Sequence, residues 1–415
     1  VRLGDGAALV VSLRWSAEQV ERVGRLAWRD QRAWFEYDAA FLVRGLSISP
    51  LGLPARAGVM AGEPRLAGIH GVFADSLPDA WGQLLVDRQA QRLAILPTTL
   101  TPLDRLAVVG QRGMGALVYE PETVLAASEG AATLDDLARY AKALLQGPAD
   151  AVLDELLAAG GSPGGARPKV LVGWQQGDGS ITHGQVDVPA GYEPTLVKFP
   201  APSDPDDIGA IELAYHQMAQ QARLRVSSSR LLPAATGPGY FATLRFDRDT
   251  DRPDHRLHAH TLAGLLGADY RVPSLDYDHL LRVTSRLTRD QREVEMAFRY
   301  AVFNVLACNR DDHGKQFSFV MDRRGSWRLA PAYDLTFSEG PGGQHSTTVV
   351  GEGTAPGMSH LDELAKRFSV RKHGQIVAQV RDAVTRWDVV ARRCGVGPAS
   401  RARIGRVLVG LAQPL

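Results

Sequence analysis

The stretch Asn309-Arg310-Asp311-Asp312-His313-Gly314-Lys315-Gln316 crowds carboxylates, an imidazole, an ammonium and amides together, and Asp334 follows eighteen residues after Gln316. The residues between them predict a hairpin. Phe317, Phe319 and Met321 alternate as on a strand, Asp322-Arg323-Arg324-Gly325 is a turn, and Trp327-Arg328-Leu329 is the return. Antiparallel pairing of 317–321 with 326–330 carries the chain back beside its start. Gln316 and Asp334 then emerge at one end, with Asp311 in the loop just before. Two carboxylates and an amide oxygen converging there are hard ligands suited to Mg2+ shared with phosphates. Phosphoryl transfer needs such a clamp, and a carboxylate that accepts the proton of the attacking hydroxyl. Asp311 is the candidate base, Asp334 the principal metal ligand and Gln316 the amide ligand. His313 and Lys315 brace the loop or touch phosphate. An ordinary polar turn would account for Asp-Asp-His alone. It does not account for a helix, a polar loop, an alternating hairpin and Tyr333-Asp334 in succession.

Two further segments suit the same chemistry. Lys198 sits within the short apolar strand Leu196-Val197-Lys198-Phe199-Pro200, and Glu212 lies near the start of the next helix. A strand lysine that holds phosphates and pairs with a helix carboxylate is a recurring part of kinase folds. Taken singly, a solvated lysine and a surface glutamate would be the plainer reading; their order before the acidic loop favours the functional one. The loop GGSPGGARPK, residues 160–169, lets backbone N–H groups approach an anion. It is not a Walker A motif, because GxxxxGK[ST] is absent and the loop runs from helix to strand. A flexible linker is the competing reading. Arg167 and Lys169, close behind Gly164, Gly165 and Ala166, favour phosphate.

The elements that must position these groups come from the rest of the chain. Its 415 residues are enough for two or three domains. Lys+Arg is 47 and Asp+Glu is 46, so the net charge of +1 gives no global pull toward nucleic acid or anionic membrane. Cys308 and Cys394 make neither a disulfide framework nor a CxxC metal spacing, and a reducing cytoplasm is expected. No apolar run approaches the roughly 18 residues of a membrane helix. The opening VRLGDGAALVVSLRW lacks the layout of a secretory leader, and Val1 rather than Met stands first, which leaves room for residues upstream.

Three units are expected: 1–125 compact and strand-rich, 126–248 carrying the glycine-rich loop and Lys198, and 249–415 mainly helical. In the first, residues 40–43 read as a strand, Ser76 or Asp79 as the cap of the helix AWGQLLVDRQAQRL, and LVYEPE closes the unit. Helices are expected over 126–148, 149–159 and 208–224, with strands at 169–172, 195–199 and 240–246. Residues 255–308 read as helical, 338–357 as a glycine-rich mobile loop, and the remainder as helical. His255, His258 and His260 read as surface histidines, since no carboxylate or cysteine nearby completes a zinc set. Trp81 and Trp327 read as packing residues.

At this point the residues resemble a known family. NRDDHGKQFSFVMD, followed by RLAPAYDLTFS, is similar to the catalytic loop, hairpin and Tyr-Asp of HipA-like toxin kinases. GGSPGGARPK resembles that family's serine-containing glycine-rich loop, LVKFP its nucleotide-binding lysine strand, Ile211-Glu212 its Asn-Glu helix start, and Leu244-Arg245-Phe246-Asp247-Arg248 its hinge. FADSLPDAWGQLLVDR and LAVVGQRGMGALVYEP are similar to the small domain that precedes the kinase. The resemblance implies an α+β, two-lobed protein-kinase-like fold with a small N-terminal β-rich subdomain and a mainly helical C-terminal lobe. It implies a serine/threonine protein kinase using ATP and Mg2+. The nucleotide would be held by Gly164, Gly165, Ala166, Arg167, Lys169, Lys198, Glu212, Leu244, Arg245, Phe246, His313 and Tyr333. A protein target such as an aminoacyl-tRNA synthetase is implied. So is a HipB-like helix-turn-helix antitoxin through which DNA is reached indirectly, with no membrane partner. By carry-over Ser162 would be autophosphorylated, and a phosphoserine's charge of about −1.5 to −2 would repel ATP phosphates in the same cleft. Two positions depart from the pattern: Gln316 stands where the family has Asn, and Leu244 where an acidic residue is common. The alternatives are a small-molecule phosphotransferase of the same fold and a non-catalytic ATP-binding subunit of a repressor complex.

Overall fold

A computed structural model describes residues 3, 7–123, 132–147, 150–160, 165–249, 251, 252 and 254–412. The first unit is built on a five-stranded antiparallel sheet of order β4-β3-β2-β1-β5, with β1 Ala8–Arg14, β2 Val20–Arg29, β3 Arg32–Tyr37, β4 Val59–Ala61 and β5 Leu117–Glu120. Strand β3 shows why: Ala33, Phe35 and Tyr37 are buried in alternation with more exposed neighbours, the period of a half-buried strand. Those rings pack with Phe41, Phe73 and Tyr119 into a core of their own. Around the sheet lie α1 Ala39–Val43, α2 Gly71–Ala74, α3 Ala80–Arg92 and α4 Pro102–Val109. Residues 40–43 are therefore helical, not a strand. The Asp38 carboxylate accepts from Ala40 N at 3.1 Å and caps the turn, which outweighs the apolar run.

The second layer begins with α5 Leu134–Gln146, which opens on a reciprocal capping box between Thr133 and Asp136, and α6 Asp150–Gly160. Both cover a five-stranded sheet of order β7-β6-β8-β10-β9, with β6 Lys169–Trp174, β7 Ile181–Thr182, β8 Glu193–Lys198, β9 Ser229–Leu232 and β10 Tyr240–Leu244. Helix α7, Ile208–Gln221, is buried almost all round and joins the core of the helical lobe.

In that lobe, His258–Thr261 is a strand, β11, where the sequence reads as helix. His258 and His260 are buried and alternate with Ala259 and Thr261, so the local period is two. It pairs with β13 Ser318–Met321, which pairs in turn with β14 Trp327–Leu329 in the register Phe319↔Leu329. The expected hairpin is present. The helices are α8 Leu262–Leu266, α9 Tyr277–Thr288, α10 Gln291–Leu306, α11 Met358–Arg367, α12 His373–Thr385, α13 Trp387–Arg393 and α14 Pro398–Ala412. Residues 338–357 are not a free loop. Within them β15 Thr347–Thr348 pairs in parallel with β12 Leu275–Asp276, and Arg310 Nη1 donates to Gly343 O at 2.7 Å. The whole is α+β and two-lobed, with the β-rich subdomain lying against both lobes. No described helix is long and apolar enough to cross a membrane.

Candidate active site

The acidic loop leaves α10 on a buried polar scaffold. Asn309 Nδ2 donates to Asn304 Oδ1 at 3.0 Å, and Asn304 Nδ2 to the Tyr277 hydroxyl at 2.9 Å. Tyr277 donates to Asp312 Oδ2 at 2.7 Å. Asp312 also accepts from His345 Nδ1 at 2.8 Å, Ser346 N at 2.8 Å and Thr347 N at 3.2 Å. It is 0% exposed. The sequence reading assigned Asp312 no part. Its signal was only its adjacency to Asp311, and its partners come from another helix and from a loop more than thirty residues on. Asp311 instead is exposed on its loop, with charged neighbours around it. Desolvation by the surrounding protein pushes its carboxyl above the usual range, against the pull of His313.

Beyond the loop the hairpin does what its pairing predicts. Gln316 Nε2 donates to Asp334 Oδ2 at 2.8 Å. Asp334 has φ 55°, a left-handed backbone uncommon outside glycine that marks a held position. Its other oxygen meets Lys198 Nζ at 2.5 Å, and Lys198 lies 2.9 Å from Glu212 Oε2. Glu212, 2% exposed, also takes Arg167 Nη1 at 2.7 Å, while Arg167 Nε reaches Asp204 at 3.0 Å. Burial alone would raise the Asp334 pKa; the Lys198 and Lys169 charges hold it well below the usual range. Burial would lower Lys198, and Asp334 and Glu212 hold it raised. Lys169, 4% exposed, is pushed down to about 8 by burial.

The fold thus brings Arg167, Lys198, Glu212, Gln316 and Asp334 into one linked cluster, with Asp311 and Lys169 close enough to feel its charges. A small cleft beside it is lined by Arg167, Lys198, Glu212 and Phe241 among others. The His313 ring lies 5.2 Å from that of Tyr270, and Lys315 Nζ lies 2.8 Å from Asp79 Oδ1. Tyr333 is part of the floor. Its hydroxyl donates to Lys315 O at 2.5 Å and lies 2.7 Å from Ser318 Oγ, and its ring stacks on Phe246 at 5.0 Å. At the expected hinge, Leu244 N donates to Ser228 O and Arg245 N to Pro194 O, while the Arg245 guanidinium pairs with buried Asp247. Gly165 has φ 104° and Ala166 is exposed; Ser162 and Gly164 lie outside the described residues.

Two of the three histidines are not on the surface, while His255 stays partly exposed, 3.6 Å from Asp254. His258 Nε2 lies 2.8 Å from Ile48 O, and His260 bridges Asp75 Oδ2 at 2.6 Å and Ser49 Oγ at 2.9 Å. Ser49 is 0% exposed, so this Asp-His-Ser chain is a brace between units and no substrate can reach its hydroxyl. Among the described residues no three His, Cys, Asp or Glu side chains could hold a metal by themselves. The Asp334 carboxylate and the Gln316 amide beside the Lys198 and Arg167 cations nevertheless fit Mg2+, which takes few protein ligands and shares itself with phosphates.

Comparison with known proteins agrees with this fold. Residues 17–120 match the HipA N-terminal domain and residues 161–387 the HipA-like C-terminal domain. Putative kinase Y4mE of Sinorhizobium fredii (strain NBRC 101917 / NGR234) is 26% identical over 234 residues, covering 53% of this chain and 48% of that protein. The match thus spans about half that relative's length. A chain of the solved Shewanella oneidensis MR-1 toxin–antitoxin complex of HipA, HipB and operator DNA superposes with a TM-score of 0.68 at 15% identity, covering 97% of this chain and 96% of that one.

Proposed function

The chain belongs to the HipA-like toxin kinase family, and on that premise we propose that it transfers the γ-phosphoryl group of ATP to a serine or threonine hydroxyl of a protein. One observation carries the reading. Lys198, on a strand of one lobe, touches both Glu212 and the Asp334 that emerges beside Gln316 in the other. Lys198, held charged, turns to the phosphates when ATP enters, and Glu212 keeps it aimed. Asp334 and the Gln316 amide oxygen would hold Mg2+, which when bound neutralises phosphate charge. Asp311 accepts the proton of the attacking hydroxyl. The new P–O bond forms to that oxygen, the bond to the β-phosphate oxygen breaks, and ADP leaves. A carboxyl with a raised pKa is a better proton acceptor than an ordinary aspartate.

The finer reading follows the family. The target is a protein, with an aminoacyl-tRNA synthetase the first candidate. Ser162 is the self-inhibitory phosphorylation site. A HipB-like helix-turn-helix antitoxin is the partner, DNA is contacted through it, and the compartment is the cytoplasm. A second reading rests on Gln316, whose amide N–H is turned to Asp334. On that reading the chain is an ATP-binding subunit of a repressor complex without turnover.

Kinetics separate the two. Asp311→Ala is expected to lower kcat by about 10²- to 10⁴-fold, the span of general-base catalysis, with ATP affinity unchanged. Wild-type protein that binds ATP without turning it over, or a variant as fast as wild type, would overturn the base assignment.

A further inference from the structure

The β-rich subdomain reaches the acidic loop and the exit of the glycine-rich loop through two residues of one short segment, Asp79 and Trp81. Asp79 stands at the N-cap position of α3, yet its side chain makes no capping hydrogen bond. It is turned to Lys315, with Nζ 2.8 Å from Oδ1 and 3.0 Å from Oδ2, and both side chains are largely enclosed. Ser76, the other candidate cap, is engaged by the Tyr119 hydroxyl at 2.7 Å. A carboxylate placed to cap a helix but committed elsewhere marks the Lys315 contact as the stronger demand. Two residues on, Trp81 binds the exit of the glycine-rich loop. Its backbone N–H donates to Gly165 O at 3.3 Å and its indole N–H to Lys169 O at 3.0 Å. Trp81 is 1% exposed.

The contact is fixed on a second side. Asp75 accepts from Thr261 N and Thr261 Oγ1, both at 2.7 Å, and from His260. Strand β11, which carries these residues, pairs with β13 directly after the acidic loop. Backbones also meet there: a Cβ on Gly71 would lie 1.9 Å from Gly264 O, so α2 and α8 pack at a distance only glycine permits.

We infer that Asp79 and Trp81 are positioning residues, a clasp by which the N-terminal subdomain holds the catalytic loop and the Gly165–Lys169 exit of the glycine-rich segment in register with each other. The inference rests on the kinase reading for its consequence. Asp79 fixes Lys315, and through the backbone the adjoining Gln316 amide and the Asp311 turn. Trp81 fixes Gly165 and the Lys169 strand start. Neither touches the reacting atoms.

The test combines turnover with hydrogen exchange on the full chain. Asp79→Asn, which removes the charge and keeps the shape, is expected to lower kcat at least ten-fold. Backbone exchange should accelerate in 311–317, and Asp79→Glu should recover part of both. Trp81→Phe keeps a buried ring and loses the indole donor; exchange should accelerate over 165–170 while 311–317 changes less. Unchanged exchange in both segments overturns the clasp. So does a wild-type kcat in Asp79→Asn. If the wild-type protein transfers no phosphate, the kinase reading fails, and the exchange measurements alone decide whether the clasp exists.

Discussion

Asp311 and Asp312 are neighbours in sequence with opposite surroundings. One is exposed, its carboxyl raised by its surroundings; the other is fully enclosed and accepts from four donors. Spacing alone made Asp311, Gln316 and Asp334 readable, because a hairpin returns the chain to its start whatever else the protein does. Lys198 and Glu212 were readable because a strand followed by a helix leaves few places for them to meet. The partners of Asp312 and Lys315 were not. Asp79 is 236 residues from Lys315, and no local pattern encodes so distant a pairing. Lys169 supplies a test at this scale. Its ammonium loses its proton as pH rises through about 8, so its attraction for phosphate falls above that value. ATP affinity measured without metal should therefore drop between pH 7 and 9.5. In Lys169→Met it should be weaker at pH 7 and nearly flat. A wild-type affinity that does not change with pH would remove Lys169 from the phosphate site.

Among the elements, those with strong local signals were legible: the capped α5, the alternating β13, the long periodic α10. Misread elements had a tertiary cause. Residues 40–43 became a helix through one cap from Asp38. β11 became a strand because the sheet edge at β13 needed a partner and Asp75 holds the histidine that faces it. Loop 338–357 is ordered by Asp312 and Arg310, neither of which lies within it. The β13–β14 turn offers a check on the hairpin. Gly325 has φ 85°, and a Cβ there would approach Leu46 Cδ2 at 2.7 Å. Gly325→Ala should cost about 1 kcal/mol or more. It would be read as a lower denaturant midpoint at unchanged slope, and an unaltered midpoint would mean the turn differs from the one described.

At the scale of the molecule the β-rich subdomain is tied into the two-lobed frame. It meets the hinge as well as the two loops. Gly115 N donates to buried Asp247 at 2.5 Å, and Asp247 pairs with Arg245 and Arg248. Arg245 Nη2 also donates to Gly113 O at 3.2 Å, so backbone groups of the subdomain help satisfy this enclosed charge group. This level was the least legible in the sequence. Boundaries could be drawn from composition and punctuation, but contacts between units depend on single charges far apart in the chain. On the function proposed above the assembled frame serves phosphoryl transfer, and intact mass tests that claim most directly. Incubated with Mg2+ and ATP, wild-type protein should gain the mass of a phosphoryl group, mapping to Ser162, while Asp311→Ala and Asp334→Ala should gain none. A wild type that starts unphosphorylated and stays so, or an Asp311→Ala variant that gains as much as wild type, would contradict the account.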